Sequence, residues 1–260
     1  MITDSFDSKT EPLFTPASFI GEKRHVCDVC LLTFSNVIFD ALQKRFELSE
    51  IGRKRCVNGD RPFYLFEYEG KTIATMICGI GATIAGGDIE ELNWYTGATK
   101  FVLFGSAGSL NRETTSGRYV IPTEAYRDEG MSYHYAKPAD YIAVKGADRV
   151  TEIFRSLGFP YVAGRVWTTD AFYRETRAQF ECRRSEGCIA VDMEVAGVQA
   201  VCDFYGFELY DFLVTGDVLD APVYEKDGLH GANHDLDKLW IALEIAKQVE
   251  QNAQKTGTVA

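Results

Sequence analysis

The sequence predicts an α/β fold: one domain, with a central sheet carrying helices on both faces. Three observations predict it. Strand candidates such as "KFVLFG" and "ELYDFLV" are continuous apolar runs without alternation, the pattern of strands buried on both faces. These runs alternate along the chain with segments of helical character. No Pro/Ser linker or internal repeat interrupts the 260 residues, a length that suits one large α/β domain.

The first 24 residues, beginning "MITDSFDSKTEPLF", are polar and read as a loosely ordered arm; residues 25–260 read as the domain. The first strand is 25–34, followed by helix 36–47. Strands 62–68 and 71–78 come next, and the second ends at Gly79 and Gly81, where helix 82–97 begins. Strand 99–104 ends at Gly105 and Gly108, and strand 118–122 precedes helix 147–157. Strand 160–168 leads to helix 176–186. The short apolar strand 188–191 runs into Asp192, Met193 and Glu194, then an apolar stretch read as helix 193–205. Strand 208–214 ends at Gly216, and helix 233–253 closes the chain.

Glycines thus cluster after three strands. In open α/β sheets ligands bind beyond the carboxyl ends of the strands. Glycines there let backbone N–H groups approach an anion or a sugar. Three such strand ends point to one shared pocket. The acids of "VDMEV" sharpen the point, because carboxylates rarely sit in a buried strand-to-helix junction without a partner.

Composition excludes several classes. The formal net charge is −11 with no basic block, which argues against nucleic acid or an anionic membrane surface as partner. A small anionic substrate needs only a few local donors and stays open. No run of about 18 apolar residues predicts a membrane span. The acidic N-terminus does not read as a secretory signal, so a cytoplasmic protein is expected. Seven cysteines scattered through apolar runs read as reduced, mostly buried thiols. Cys27 and Cys30 form a C-x-x-C, but in a strand at 25–34 they would face opposite sides, and no second pair has zinc spacing. No metal and no cofactor are expected.

The blocks "CGIGATIAGGDIEEL", "KFVLFGSAGSL", "WTTDAFYRET", "AVDMEVAGV" and "LVTGDVLD" occur in this order over roughly residues 25–250. The ordered set resembles the nucleoside phosphorylase superfamily, which contains bacterial purine nucleoside phosphorylase, uridine phosphorylase and the methylthioadenosine/adenosylhomocysteine nucleosidases. "RDEGMSYHY" is similar to a less characterised subgroup of the same family. The resemblance implies a mixed central sheet, a nucleoside and phosphate as substrates, and a homo-oligomer, dimer or hexamer, with sites at subunit interfaces.

It also implies roles. Glu194 would accept hydrogen bonds from ribose hydroxyls, an interaction that strengthens as the sugar becomes oxocarbenium-like. Met193 would pack on the sugar, and Asp192 would either point toward the base or bond the backbone. Asp217 would protonate the leaving purine as general acid, with Asp220 the alternative. Phe172 and Tyr173 match the aromatic pair that covers the base, and Val191 and Thr169 would complete the pocket. Ser106, Ala107, Gly108 and Gly79 would form the anion end.

The pattern breaks at two places. Where the family's first loop reads Gly-Asp-Pro with an arginine shortly after, this chain has Phe34, Ser35 and Asn36, with Ile38 at the arginine's place. The second phosphate arginine is replaced by Leu103. The glutamate that activates water in the nucleosidases is missing from the same loop. Three readings follow: phosphate held by other basic groups (Arg61 from a neighbouring chain, or Arg118, Arg127, His134 or Arg174), water as nucleophile, or binding without turnover.

Overall fold

The protein is described here by a computed structural model over residues 1–250. Its strands are β1 (Val29–Thr33), β2 (Ser49–Lys54), β3 (Arg61–Tyr68), β4 (Lys71–Ile77), β5 (Lys100–Ser109), β6 (Tyr119–Asp128), β7 (Tyr141–Ala143), β8 (Tyr161–Thr169), β9 (Cys188–Asp192) and β10 (Glu208–Val218). Its helices are α1 (Ala17–Ile20), α2 (Asn36–Arg45), α3 (Ala82–Thr96), α4 (Arg112–Thr115), α5 (Ser132–Tyr135), α6 (Ala147–Leu157), α7 (Arg177–Ser185), α8 (Val195–Tyr205), α9 (Leu229–Asn233) and α10 (Asp237–Glu250).

The strands form one mixed sheet in the order β10-β6-β8-β9-β5-β1-β4-β3-β2, with β7 beside β6. β10 also pairs in parallel with β5, so the run from β10 to β5 closes on itself. β1 and β4 continue from β5 in parallel, and β3 and β2 follow antiparallel. Period-two alternation in β1 shows how the two faces are covered. Val29 and Leu31 join Ile38, Leu42, Phe154 and Ile245, from α2, α6 and α10. Cys30 and Leu32 join Ala85, Ile89, Val198 and Val201, from α3 and α8. Each fully buried side chain of this size stabilises the fold by about 1.5–3 kcal/mol.

The helix expected at 147–157 is α6, but several boundaries differ for physical reasons. β5 runs to Ser109 and β10 to Val218, so Gly105, Gly108 and Gly216 lie inside strands rather than after them. Gly108 marks where β5 takes β9 as an antiparallel partner, pairing with Val191. Gly216 sits in a bulge between Thr215 and Asp217. β2, a polar strand of mostly half-buried and exposed residues, carries no apolar run to announce it. The helix expected at 233–253 is α10, which begins only at Asp237 after a turn at 234–236; Asn233 ends the short α9, and the final three residues of the expected helix lie outside the described residues.

The cysteine geometry also needs correction. β1 starts at Val29, so Cys27 precedes the strand, and both Cys27 and Cys30 face the same core cluster. Both are buried free thiols. The arm carries α1 and a short 3-10 turn at Ile2–Asp4, and its end is tied to α3. Trp94 Nε1 donates to the Gly21 carbonyl at 2.7 Å, and Lys23 Nζ to Asn93 Oδ1 at 2.6 Å. Among the described residues no helix is long and apolar enough to cross a membrane.

Candidate active site

Where β1, β5, β9 and β10 end or bend lies a cavity of about 440 Å³, a size typical of small-molecule sites. Glu194 stands at its wall as the N-cap residue of α8 and is only 8% exposed. Its Oε1 accepts from the Gly81 N–H at 2.7 Å, and Gly81 offers that N–H from a left-handed conformation, φ +94°, which favours glycine. Burial, reinforced by the nearby Asp192 charge, raises the Glu194 carboxyl to about 8. The folded carboxyl therefore keeps its proton above its ordinary value of 4.5. Stability falls as pH rises through that window, because the unfolded chain gives up the proton first. Hydroxyl donors from a sugar would favour the ionised form.

Asp192 lines the cavity, but its carboxylate is occupied. Oδ2 accepts from the N–H groups of Glu194 and Val195 at 2.8 and 2.7 Å, and Oδ1 accepts from Thr168 Oγ1 at 2.8 Å. It caps α8 and thereby fixes Glu194. Of the two roles open for Asp192, the carboxylate takes the backbone one.

Asp217 enters the cavity from the bulge in β10, a device that re-aims a side chain. Tyr224 Oη donates to its Oδ2 at 3.0 Å. Gly108 makes room for it: a Cβ there would lie 2.9 Å from Val191 Cγ1 and 3.3 Å from Asp217 Oδ2. Phe172, Met193 and Val191 give this end its apolar walls, with Phe172 half exposed. Glu175 joins them, and burial with the Asp217 charge pushes its carboxyl up to about 7. Tyr173 packs against Phe172 with the rings tilted but is 89% exposed and lies outside the cavity lining. Asp220 is also outside, and it accepts from the Arg112 N–H at the start of α4.

The opposite end is built from Thr33, Phe34 and Ser35 at the end of β1, Ser106 and Ala107 of β5, and Asn233, His234 and Lys238. Ser35 Oγ accepts from Ile38 N at 3.2 Å, capping α2, and lies 2.8 Å from His234 Nδ1. Ser106 Oγ donates to Asn233 Oδ1. Lys238 is 1% exposed, and its ammonium donates to the carbonyls of Gly105, Ala232 and Asn233. Burial lowers it to about 8.

Thr169, Gly79 and the basic candidates Arg61, Arg118, Arg127, His134 and Arg174 of this chain do not line the cavity. Thr169 is buried and its Oγ1 accepts from Ala171 N. Gly79 donates its N–H to Asp88 Oδ2 at 2.9 Å. Arg61 grips both oxygens of the buried Asp88, which also pairs with Lys54 at 3.1 Å. Arg127 is buried and donates to Ser132 Oγ and to the Lys137 and Ala136 carbonyls, and Arg118 donates to the Glu113 and Thr114 carbonyls. Ile38 and Leu103 are buried in the two core clusters. Among the described residues no arginine lines the cavity.

Sequence reasoning missed Glu175, Tyr224, His234 and Lys238. Lys238 left a trace: it stands three and seven residues before the buried Ile241 and Ile245, on the apolar stripe of α10. A charge on such a stripe calls for a partner.

Glu194, Asp217, Phe172 and Met193 meet in one cavity where strands of an α/β sheet end, the usual place for a small-molecule site in such a fold. The chain belongs to the phosphorylase superfamily, whose family model matches residues 29–257. It is 28% identical over 207 residues to a DeoD-type purine nucleoside phosphorylase of Caldanaerobacter subterraneus subsp. tengcongensis, covering 74% of this chain and 84% of that one. Its fold is similar to purine nucleoside phosphorylase from Toxoplasma gondii in complex with immucillin-H, with TM-score 0.73 and 18% identity, covering 94% of this chain and 100% of that one. It is also similar in fold to a futalosine hydrolase mutant of Helicobacter pylori, with TM-score 0.67 and 18% identity, covering 84% of this chain and 99% of that one. The fold of this chain is thus shared with a phosphorylase and with a hydrolase.

Proposed function

We propose that the protein is a nucleoside phosphorylase that cleaves the N-glycosidic bond of a purine nucleoside with phosphate as co-substrate. The observation that carries this reading is that Glu194 and Asp217 line one cavity, with Phe172 and Met193 beside them. The base lies against Phe172 and Val191, and the ribose hydroxyls donate to Glu194. As the C1′–N9 bond breaks, its electron pair passes to the base and Asp217 protonates N7, so the base leaves neutral. A phosphate oxygen forms the new bond to C1′, giving ribose 1-phosphate. Glu194 holds the hydroxyls more tightly as positive charge builds on the ring. The sequence similarity to a purine nucleoside phosphorylase supports phosphate as nucleophile.

One observation favours a second reading, hydrolysis: no arginine among the described residues lines the cavity. The two readings differ in product. Purine nucleosides incubated with and without phosphate, with products resolved by chromatography, are expected to give ribose 1-phosphate, and only with phosphate. Free ribose formed at equal rates in both would replace the phosphorylase by a nucleosidase.

A further inference from the structure

The part of the cavity lined by Ser35, Ser106, Asn233, His234 and Lys238 lacks the family's arginines. We propose that His234, oriented by Ser35 and assisted by Asn233 and the buried Lys238, is the seat of the nucleophile oxyanion, taking inorganic phosphate. The assignment rests on the nucleoside-cleaving reading of this site.

The hydrogen bonds decide what each group offers. Ser35 Oγ accepts from the Ile38 N–H and lies 2.8 Å from His234 Nδ1, and the proposed seat uses the arrangement in which the serine proton is directed at Nδ1. With Nδ1 as acceptor, the neutral ring carries its proton on Nε2; in the imidazolium both nitrogens carry one. In both states Nε2–H is a donor, and Nε2 has no hydrogen-bond partner among the described residues. Ser106 does the same for Asn233: with its hydroxyl on Oδ1, the Nδ2 amide remains to donate. Two oriented donors thus belong to the same end of one cavity.

Lys238 acts differently. Its three ammonium protons are directed at three carbonyls, so it contributes charge rather than a hydrogen bond to the ligand. Two of those carbonyls, of Ala232 and Asn233, belong to the end of α9, so the same lysine fixes the turn that presents Asn233 and His234. That charge offsets the negative charge a phosphate would bring into a cavity also lined by Glu194, Asp217 and Glu175. The nearby Asp235 is already engaged by Tyr119 Oη and the Asp237 N–H. A buried cation, a hydroxyl-oriented imidazole and a side-chain amide replace two arginines whose positions, Ile38 and Leu103, are now core.

Binding of inorganic phosphate, titrated calorimetrically into the intact protein without nucleoside, tests the seat apart from turnover. His234→Asn is expected to weaken phosphate binding by about 10- to 100-fold, the loss of one hydrogen bond to a charged group. Ser35→Ala, which leaves the imidazole in place but unoriented, is expected to weaken it less. Circular dichroism of each variant shows whether the fold is kept, and Ser35→Ala carries the test if His234→Asn does not fold. Wild-type protein that binds no phosphate, or folded variants that bind it as well as wild type, would overturn the assignment. Product identity in the nucleoside assay decides the phosphorylase reading separately. Phosphate binding that depends on His234 in a protein releasing only free ribose would keep the seat and remove the phosphorylase.

Discussion

The two ends of the cavity differ in how far they depart from the family pattern. At one end, Glu194, Met193, Asp217 and Phe172, the residues that the resemblance assigns to sugar and base, all line the cavity. At the other end the two arginine positions have become Ile38 and Leu103, buried at 1% and 2% exposure and packed into opposite core clusters. Those positions no longer point polar groups at a ligand. The lining there comes instead from the turn after α9 and from α10, through His234 and the buried Lys238. A motif at one end of a site therefore speaks for the bond that is broken. It does not speak for the group that attacks, which has to be read from the other end's own geometry.

If that division holds, the largest effect comes from the base end. Asp217→Asn keeps an acceptor for Tyr224 but has no proton to give to the leaving purine. General acids of this kind contribute about 10²–10⁴-fold. The loss is expected on purine nucleosides and much less on a nucleoside with an activated leaving group, measured as kcat/KM on both. Equal losses on the two would move the proton donor away from Asp217 and blur the contrast, since Asp220 lies outside the cavity and caps α4.

Glu194→Gln probes the sugar. The amide oxygen can still accept from the Gly81 N–H, so the junction before α8 is expected to stay folded. The carboxylate's field on the oxocarbenium is lost, at about 2–4 kcal/mol in the transition state. The expected result is a fall in kcat with KM for phosphate unchanged, because the change lies at the other end. The variant also removes a group held at about 8 by burial, so the stability lost by wild type as pH rises from 4.5 toward 8 should shrink in thermal melts at those pH values. Wild-type turnover in this variant would remove Glu194 from the reaction.

The long strands, the long helices and the acids Asp192 and Glu194 that line the cavity were legible in the sequence because each leaves a local mark: continuous apolar runs, helical periodicity, and an acid pair at a strand-to-helix junction. What was not legible arises from long-range geometry. Gly105, Gly108 and Gly216 look like strand terminators, yet each lies within a strand that bends to close the sheet, with Gly108 at a partner switch and Gly216 in a bulge. Lys238 looks like an ordinary helix lysine until α10 is seen with that position turned inward. His234 acquires meaning only from Ser35, 199 residues away in sequence.

Arg61 gives the smallest effect and the sharpest boundary. Sequence placed it beside the phosphate; within this chain its guanidinium holds both oxygens of Asp88, which is fully buried, and it lies outside the cavity lining. Removing it does not leave Asp88 alone, since Lys54 at 3.1 Å and the Gly79 N–H at 2.9 Å remain. The cost of Arg61→Ala is thus expected at about 1–3 kcal/mol, the range for a hydrogen bond to a charged group with partial compensation. For a domain of this size each kcal/mol lowers Tm by about 2–4 °C. The space near Gly79 also opens, because a Cβ there would lie 2.6 Å from an Arg61 guanidinium nitrogen. The variant should therefore melt several degrees lower while its KM for phosphate stays at the wild-type value. The opposite result, an unchanged Tm with a raised KM for phosphate, would extend the nucleophile end to Arg61 and make the two ends of the cavity less different than their side chains suggest.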